Sequence, residues 1–295
     1  MEATTLATSG WEVSVISPQA KDFNLSYERL ENIDIYRYRL PAFGDGPGGF
    51  VKEFLWCFIQ TGRLLAKVVL RGRGYDVLHV CNPPEIYWPY GLIGKIFGKK
   101  FLFDHHDLSP EMYEAKFDKP SRVALAGLRL LERLTFAASD LVITTNQSHR
   151  QIAIDRGRKD SGDVFVVRSG PDLGRFRLMP PDPSLRNRKD HLIAYLGEIC
   201  KQDGVDHLIR AVQILRDEMG RNDFHCVLVG GGPHQPQIKA YAESLGVDDL
   251  CTFTGRISDE ELCRVLSTAD LGVDPDPRNP WSDKSTMNKI MEYMY

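Results

Sequence analysis

The sequence predicts an α/β protein made of two parallel-sheet halves, and three features predict it. Short apolar runs alternate with amphipathic helical patterns through all 295 residues, the order expected of strands joined by crossover helices. Several runs are continuous in Val, Ile, Leu and Phe, as in strands buried on both faces. One charged, proline-rich stretch without a period, 170–190 (GPDLGRFRLMPPDPSLRNRKD), interrupts the alternation. It reads as a linker, so the halves are 1–173 and 174–295.

Taken in order, 2–9 resembles the end of a helix. Strands are expected over 11–16, 33–38, 77–80, 101–104, 141–144 and 164–167, and in the second half over 192–196, 224–229, 251–254 and 271–273. Helical patterns occupy 50–71, 121–138, 146–156, 205–219, 235–245 and 259–268. Ser258 followed by Glu261 forms a capping box for the last of these. The chain opens inside a pattern and stops in the helical run 291–295 without a cap, so both termini are expected to be cut.

Hydrophobic residues make up 42% and charged residues 26%, with a net charge of −3. This is ordinary globular composition and excludes collagenous, fibrous and disordered classes. It gives no electrostatic reason to expect a nucleic-acid partner. No run reaches the roughly 18 apolar residues of a spanning helix, and MEATTLATSG lacks the basic start and apolar run of a signal peptide. Six cysteines without a CxxC pair read as buried free thiols in the reducing cytoplasm.

Four places are candidate sites. After the strand over 101–104, FDHHDLSPEMY sets His105, His106, Asp107 and Glu111 just beyond a strand end, where open α/β sheets bind ligands. A metal site is a competing reading, but HHD is not a zinc spacing, and adjacent strand residues point opposite ways. Another is that Asp107 or Ser109 caps a helix with Glu111 in its first turn. Second, Gly230-Gly231-Gly232-Pro233 joins a strand to a helix, an anion-binding arrangement or simply a tight turn. Third, Gly197 and Gly204 bracket Glu198, Lys201 and Asp203 at another helix start. Fourth, a proline-broken loop carrying Asp274 and Asp276 leads to Asp283, Lys284, Ser285 and Thr286, where a helix is expected to open with Glu292 two turns on. Lysine and hydroxyls there suit a phosphate or form a plain N-cap. The two aspartates alternate with prolines and read as a chain reversal rather than a DxD metal motif.

The blocks FDHHDLSPE, YLGEICKQDGVDHLIRA, LVGGGP, FTGRI and DKSTMNKIMEYM, in this order, resemble the family-4 (group 1) retaining glycosyltransferases of the GT-B fold, of the bacterial exopolysaccharide or capsule type. The resemblance implies two Rossmann-like domains facing a cleft: 1–173 on the acceptor side, its first strand missing, and 174–295 binding the nucleotide sugar, also incomplete. It implies transfer of a sugar from a UDP- or GDP-sugar to a saccharide or lipid-linked acceptor, with neither cofactor nor metal. His106, Lys284 and Glu292 would be the catalytic positions. Gly197, Lys201, Gly230, Gly231, Gly255, Arg256, Ile257, Ser285, Thr286 and Glu292 would hold the donor, and Asp107 and Glu111 would lie on the acceptor side. The family's E-x7-E signature ends at Glu292, but its first glutamate is replaced by Lys284. Its diphosphate-binding Arg and Lys are replaced by Glu198 and Asp203. Lys201 and Lys284 are expected to compensate, and the missing ends are expected to weaken nucleotide binding and turnover.

The segment 51–73 sets Lys52, Arg63, Lys67, Arg71 and Arg73 against Glu53 alone, with Phe54, Leu55, Trp56, Phe58 and Ile59 among them. It reads as an interfacial helix for peripheral contact with the inner face of the plasma membrane, or as a helix packed on the sheet with a basic outer face. Two alternatives to transfer remain: a non-catalytic nucleotide-sugar-binding module and a GT-B nucleotide-sugar 2-epimerase. A dinucleotide oxidoreductase is disfavoured by the lack of GxGxxG with a downstream acid.

Overall fold

Burial of the apolar runs organises the chain around parallel sheets in each of two units. The computed structural model describes residues 2–294 except 21–22, 44–46, 73, 118, 169, 172–173 and 175. Unit one comprises Met1–Pro110 and Ser121–Val167, unit two Glu111–Pro120 and Arg168–Tyr295. The boundary expected at 173/174, and Arg73 of the basic segment, involve residues outside those described.

Unit one runs α1 (Glu2–Thr8), β1 (Val13–Pro18), β2 (Tyr27–Leu30), β3 (Ile33–Tyr38), α2 (Pro47–Leu70), β4 (Val77–Cys81), α3 (Trp88–Ile96), β5 (Lys100–His105), α4 (Ser109–Lys116, crossing into unit two), α5 (Arg122–Ala138), β6 (Leu141–Thr144), α6 (Gln147–Asp155) and β7 (Val164–Val166). Strands β4-β5-β6-β7 form one parallel sheet in that order. A second sheet has the order β1-β3-β2. There β2 pairs antiparallel to β3, a departure from the all-parallel expectation. Phe103, Phe136, Val142, Ala153 and Val164 pack as one core cluster.

Helix α2 is the packed form of the basic segment. Cys57, Leu64 and Val68 lie against Tyr36 and Tyr38, Trp56 donates to the Arg39 carbonyl at 2.9 Å, and Phe58 stacks on Tyr90. Of its apolar residues, Val51, Leu55 and Ile59 remain exposed toward the N-terminal end. Among the described residues, no helix is long and apolar enough to cross a membrane.

Unit two continues with β8 (His191–Leu196), α7 (Val205–Asp217), β9 (Phe224–Val229), α8 (Gln235–Ser244), β10 (Cys251–Gly255), α9 (Asp259–Thr268), β11 (Leu271–Gly272) and α10 (Asn288–Met294). The strands lie parallel in the order β10-β9-β8-β11. The chain therefore winds outward from β8 to β10, then returns to the other side of β8. That reversal is the topological switch point of a doubly wound sheet, and ligands bind outside the strand ends there. Every residue of β9 is buried, as its unbroken FHCVLV run requires. The capping box of α9 forms as expected, with Ser258 N donating to Glu261 and Glu261 N to Ser258 Oγ.

Three expectations are corrected. The linker is structured in its second part: Met179 and Asp182 donate backbone N–H groups to Ser267 and Thr268 of α9, and Arg186 pairs with Asp270 at 2.6 Å. The last helix opens at Asn288, not at 283–286, because the Ser282 hydroxyl donates to the Pro277 carbonyl, closing a turn instead of capping a helix. Cys57, Cys226 and Cys263 are buried, but Cys81 is exposed at the end of β4.

Candidate functional sites at the strand ends

In unit one the carboxyl ends of β4 and β5 hold the side chains that can do chemistry. His105 and His106 point opposite ways, as alternation demands. His105 is fully buried beside Phe103, Phe136 and His149, with Glu132 3.6 Å from its Nε2. His106 keeps 40% of its side chain exposed and sets Nε2 3.0 Å from Asp104 Oδ2. His79, on β4, reaches the same oxygen at 3.1 Å.

The Asp104 carboxyl is buried, which raises its pKa, but bonds from His106 and His79 outweigh this and hold it at about 2. His106 is pushed up to about 10, chiefly by Asp104 and Cys81. Burial opposes the charging of His79, yet Asp104 and Cys81 raise it to about 10 as well. At neutral pH His106 is therefore cationic, suited to stabilising negative charge or donating a hydrogen bond rather than accepting a proton.

Asn82 fixes the loop after His105. Its Oδ1 accepts from His106 N at 2.8 Å and Asp107 N at 3.1 Å. Its Nδ2 donates to the Asp107 carbonyl at 2.6 Å and to Glu85 at 2.7 Å. Glu85, raised by burial, also accepts from Ser109 Oγ at 2.6 Å. Asp107 is likewise raised by burial, and Glu111 is buried in the first turn of α4.

In unit two three glycines meet at the strand ends. Gly230 N donates to the Gly255 carbonyl at 3.0 Å, and Gly197 N to Val229 O at 3.1 Å. The loop after β8 presses on the triple-glycine turn. A Cβ at Gly230, where φ is +122°, would overlap the Gly197 carbonyl oxygen, and one at Gly232 would come within 2.5 Å of the Ile199 oxygen. Packing thus explains two of the three glycines. At Gly231 the nearest atom to a Cβ would be Gln235 Oε1 at 3.5 Å, so packing leaves that glycine unexplained.

Helix α10 docks at the switch point. Tyr293 accepts from Leu196 N at 2.8 Å and donates to the Val273 carbonyl at 3.1 Å, joining the ends of β8 and β11. Lys289 reaches Asp274 at 3.1 Å and Asp276 at 3.0 Å and lies over the Tyr195 ring. Burial raises Asp276 to about 6, with the neighbouring Asp274 adding to the rise and Lys289 opposing it.

Of the remaining sequence candidates, Lys284 pairs with Glu111 at 3.3 Å. Ser285 and Thr286 line a cavity of about 510 Å³ with Asp274, Asp276 and Met287. Lys201 lies in a 3₁₀ turn before α7, where Asp203 accepts from Cys200 N at 2.8 Å and so acts as a cap. Arg256 and Ile257 follow β10, Ile257 packing under the sheet, and Glu292 is half-buried on α10. Gly197, Gly230 and Gly255 are thus brought together with Lys289 beside Gly197, whereas the cavity at 285–286 is lined by neither the glycines nor Lys284. Sequence reasoning missed His79, Cys81, Asn82, Lys289 and Tyr293. The alternating HxC and DxH at two strand ends was the signal available for His79 and Cys81.

Comparison with known proteins gives two family matches. Residues 2–170 match the glycosyl transferase 4-like domain, and residues 181–276 match the glycosyl transferases group 1. A D-inositol 3-phosphate glycosyltransferase of Salinispora tropica is 27% identical over 78% of this chain and 52% of its own length. A 2-deoxystreptamine glucosyltransferase of Streptomyces kanamyceticus is 32% identical over 75% and 51%. The chain thus spans about half the length of these curated relatives. A solved structure described as trehalose-6-phosphate from E. coli bound with UDP-2-fluoro glucose superposes with a TM-score of 0.68 at 12% identity, covering 98% of this chain and 76% of that one. Likeness at that identity supports the fold, two Rossmann-like α/β units of the GT-B class, and nothing finer.

Proposed function

The chain belongs to the glycosyl transferase 4-like family, and from that premise we propose that it is a retaining glycosyltransferase. It moves a sugar from a UDP- or GDP-sugar to a saccharide or lipid-linked acceptor in surface polysaccharide synthesis. The observation that carries this reading is Gly231: at the end of a buried strand and ahead of α8, it is a glycine that packing does not require. Close approach of a diphosphate to backbone N–H groups is the physical reason that remains.

Retention proceeds through an oxocarbenium-like transition state, with charge developing on the leaving diphosphate. In this reading the amides at Gly230 and Gly231 and the start of α8 meet that charge in a preorganised field. Glu292 holds the ribose hydroxyls, and Gly255, Arg256 and Ile257 line the base. Lys201 and Lys284 supply charge in place of the family's Arg and Lys, with Gly197, Ser285 and Thr286 completing the donor side. Cationic His106 contacts the sugar or acceptor, flanked by Asp107 and Glu111. The enzyme works in the cytoplasm, with the exposed Leu55, Ile59, Lys52 and Arg63 of α2 meeting anionic lipid at the inner membrane face. Co-sedimentation with vesicles independent of anionic lipid content would count against that contact.

The test is acceptor-dependent release of UDP or GDP from a panel of sugar nucleotides. The acceptors should include inositol phosphate and aminocyclitols, the classes named in the relatives. Release from at least one donor is expected, with Lys284→Ala raising the donor KM. Release from none would overturn the proposal. Nucleotide binding without release would favour a non-catalytic binding module instead, a reading supported by the acids Glu198 and Asp203 at the diphosphate positions. Acceptor-independent conversion of the donor would favour a 2-epimerase.

A further inference from the structure

The ends of β4 and β5 carry a second chemical possibility, which stands whether or not the chain transfers sugar. His79 and Cys81 are two apart on β4, and Asp104 and His106 are two apart across the end of β5. The strands are parallel, with Cys81 directly opposite Asp104. Side chains two apart share a face, so the four converge on one side of the sheet.

One ligand atom each from His79, Cys81 and Asp104 lies within 4.8 Å of the other two. His79 Nε2 is 3.1 Å from Asp104 Oδ2, and Cys81 Sγ is 3.9 Å from it. Ligand atoms about 2.0–2.3 Å from a tetrahedral zinc ion stand about 3.3–3.8 Å apart, so the two separations from Asp104 Oδ2 lie within tenths of an ångström of that range, and the His79–Cys81 separation, within 4.8 Å, closes by at most about 1 Å more. Asp104 Oδ1, buried, has no hydrogen-bond partner among the described residues. A buried carboxylate oxygen left so is costly, and an ion that Asp104 binds through both oxygens would satisfy it.

We propose that His79, Cys81 and Asp104 form a binding site for one borderline-soft divalent cation, of which zinc is the natural occupant. Thiolate, imidazole and carboxylate together select such an ion over magnesium or calcium. Cys81 is exposed and His79 keeps 24% of its side chain accessible, which gives the ion a path in and leaves a fourth position for water. His106 Nε2, 3.0 Å from Asp104, orients the carboxylate from outside. Glu2 Oε1 stands 3.8 Å from His79 Nε2, adding a second acid at the rim.

Cobalt titration of the chelator-treated full chain tests this directly. One equivalent of Co²⁺ should produce a thiolate-to-cobalt charge-transfer band that zinc then abolishes. Cys81→Ser, an exposed and near-isosteric change, should remove the band and weaken zinc binding at least about tenfold while the circular dichroism spectrum is retained. His79→Gln should weaken zinc similarly, and Cys200→Ser should leave the band intact. No band, a band that survives Cys81→Ser, or a zinc affinity unchanged in both ligand variants would overturn the site.

Discussion

Replacing Gly230 by alanine probes the close approach that shapes the donor-side crevice. The added Cβ would overlap the Gly197 carbonyl oxygen and lie 3.0 Å from its carbon, and the residue would be held at φ +122°. Both obstacles are backbone, so relief requires moving the loop after β8. Strained backbone of this kind costs about 1–3 kcal/mol, and overpacking costs about 1–3 kcal/mol more. A loss of about 2–6 kcal/mol is expected, read as a lower urea midpoint by circular dichroism. Gly231→Ala is the internal control. Its nearest neighbour would be 3.5 Å away, so it should be neutral or stabilise by up to about 1 kcal/mol through the unfolded chain. A Gly230→Ala variant within about 1 kcal/mol of the parent, or no more perturbed than Gly231→Ala, would refute the packing argument.

Asn82→Ala removes four hydrogen bonds, three that hold residues 106 and 107 and one to Glu85. At about 0.5–1.5 kcal/mol net for each, it should lower stability by about 2–6 kcal/mol in urea titration, and acceptor-dependent turnover should fall with it. Asp276 has a folded pKa raised from 3.8 to about 6. The stability it contributes is therefore full below pH 3.8 and is lost as pH rises through about 6. Asp276→Asn should erase that decline, on the order of 1–3 kcal/mol, so parallel stability curves for parent and variant across this range would contradict the assignment.

Most strands and the longer helices were legible because burial on both faces writes an unmistakable apolar run, as in FHCVLV. Two elements were not. β2 is a short edge strand, YERL, whose adjacent Glu28 and Arg29 break the apolar pattern that would reveal its pairing. α3 contains Gly91 and Gly94, which propensity counts against a helix, yet tertiary packing demands them: a Cβ at Gly91 would come 2.6 Å from Phe101 Cγ, and one at Gly94 2.7 Å from the Tyr75 hydroxyl. The candidate sites were legible where they follow a strand directly, as His106 and the triple glycine do. Lys289 escaped notice because its partners lie 13 and 15 residues upstream, across a loop whose prolines suggested only a reversal. Cys81 escaped because the HxC alternation on β4 marks a shared face but not its partner, and only strand register sets it opposite Asp104.

Calorimetric titration of UDP and GDP into the parent chain and into Gly231→Ala bears most directly on the donor site. Saturable binding of one nucleotide, weakened at least about tenfold in a variant whose urea midpoint has not fallen, is the expected result. No heat with either nucleotide, or equal affinity in parent and variant, would contradict a diphosphate resting on that turn.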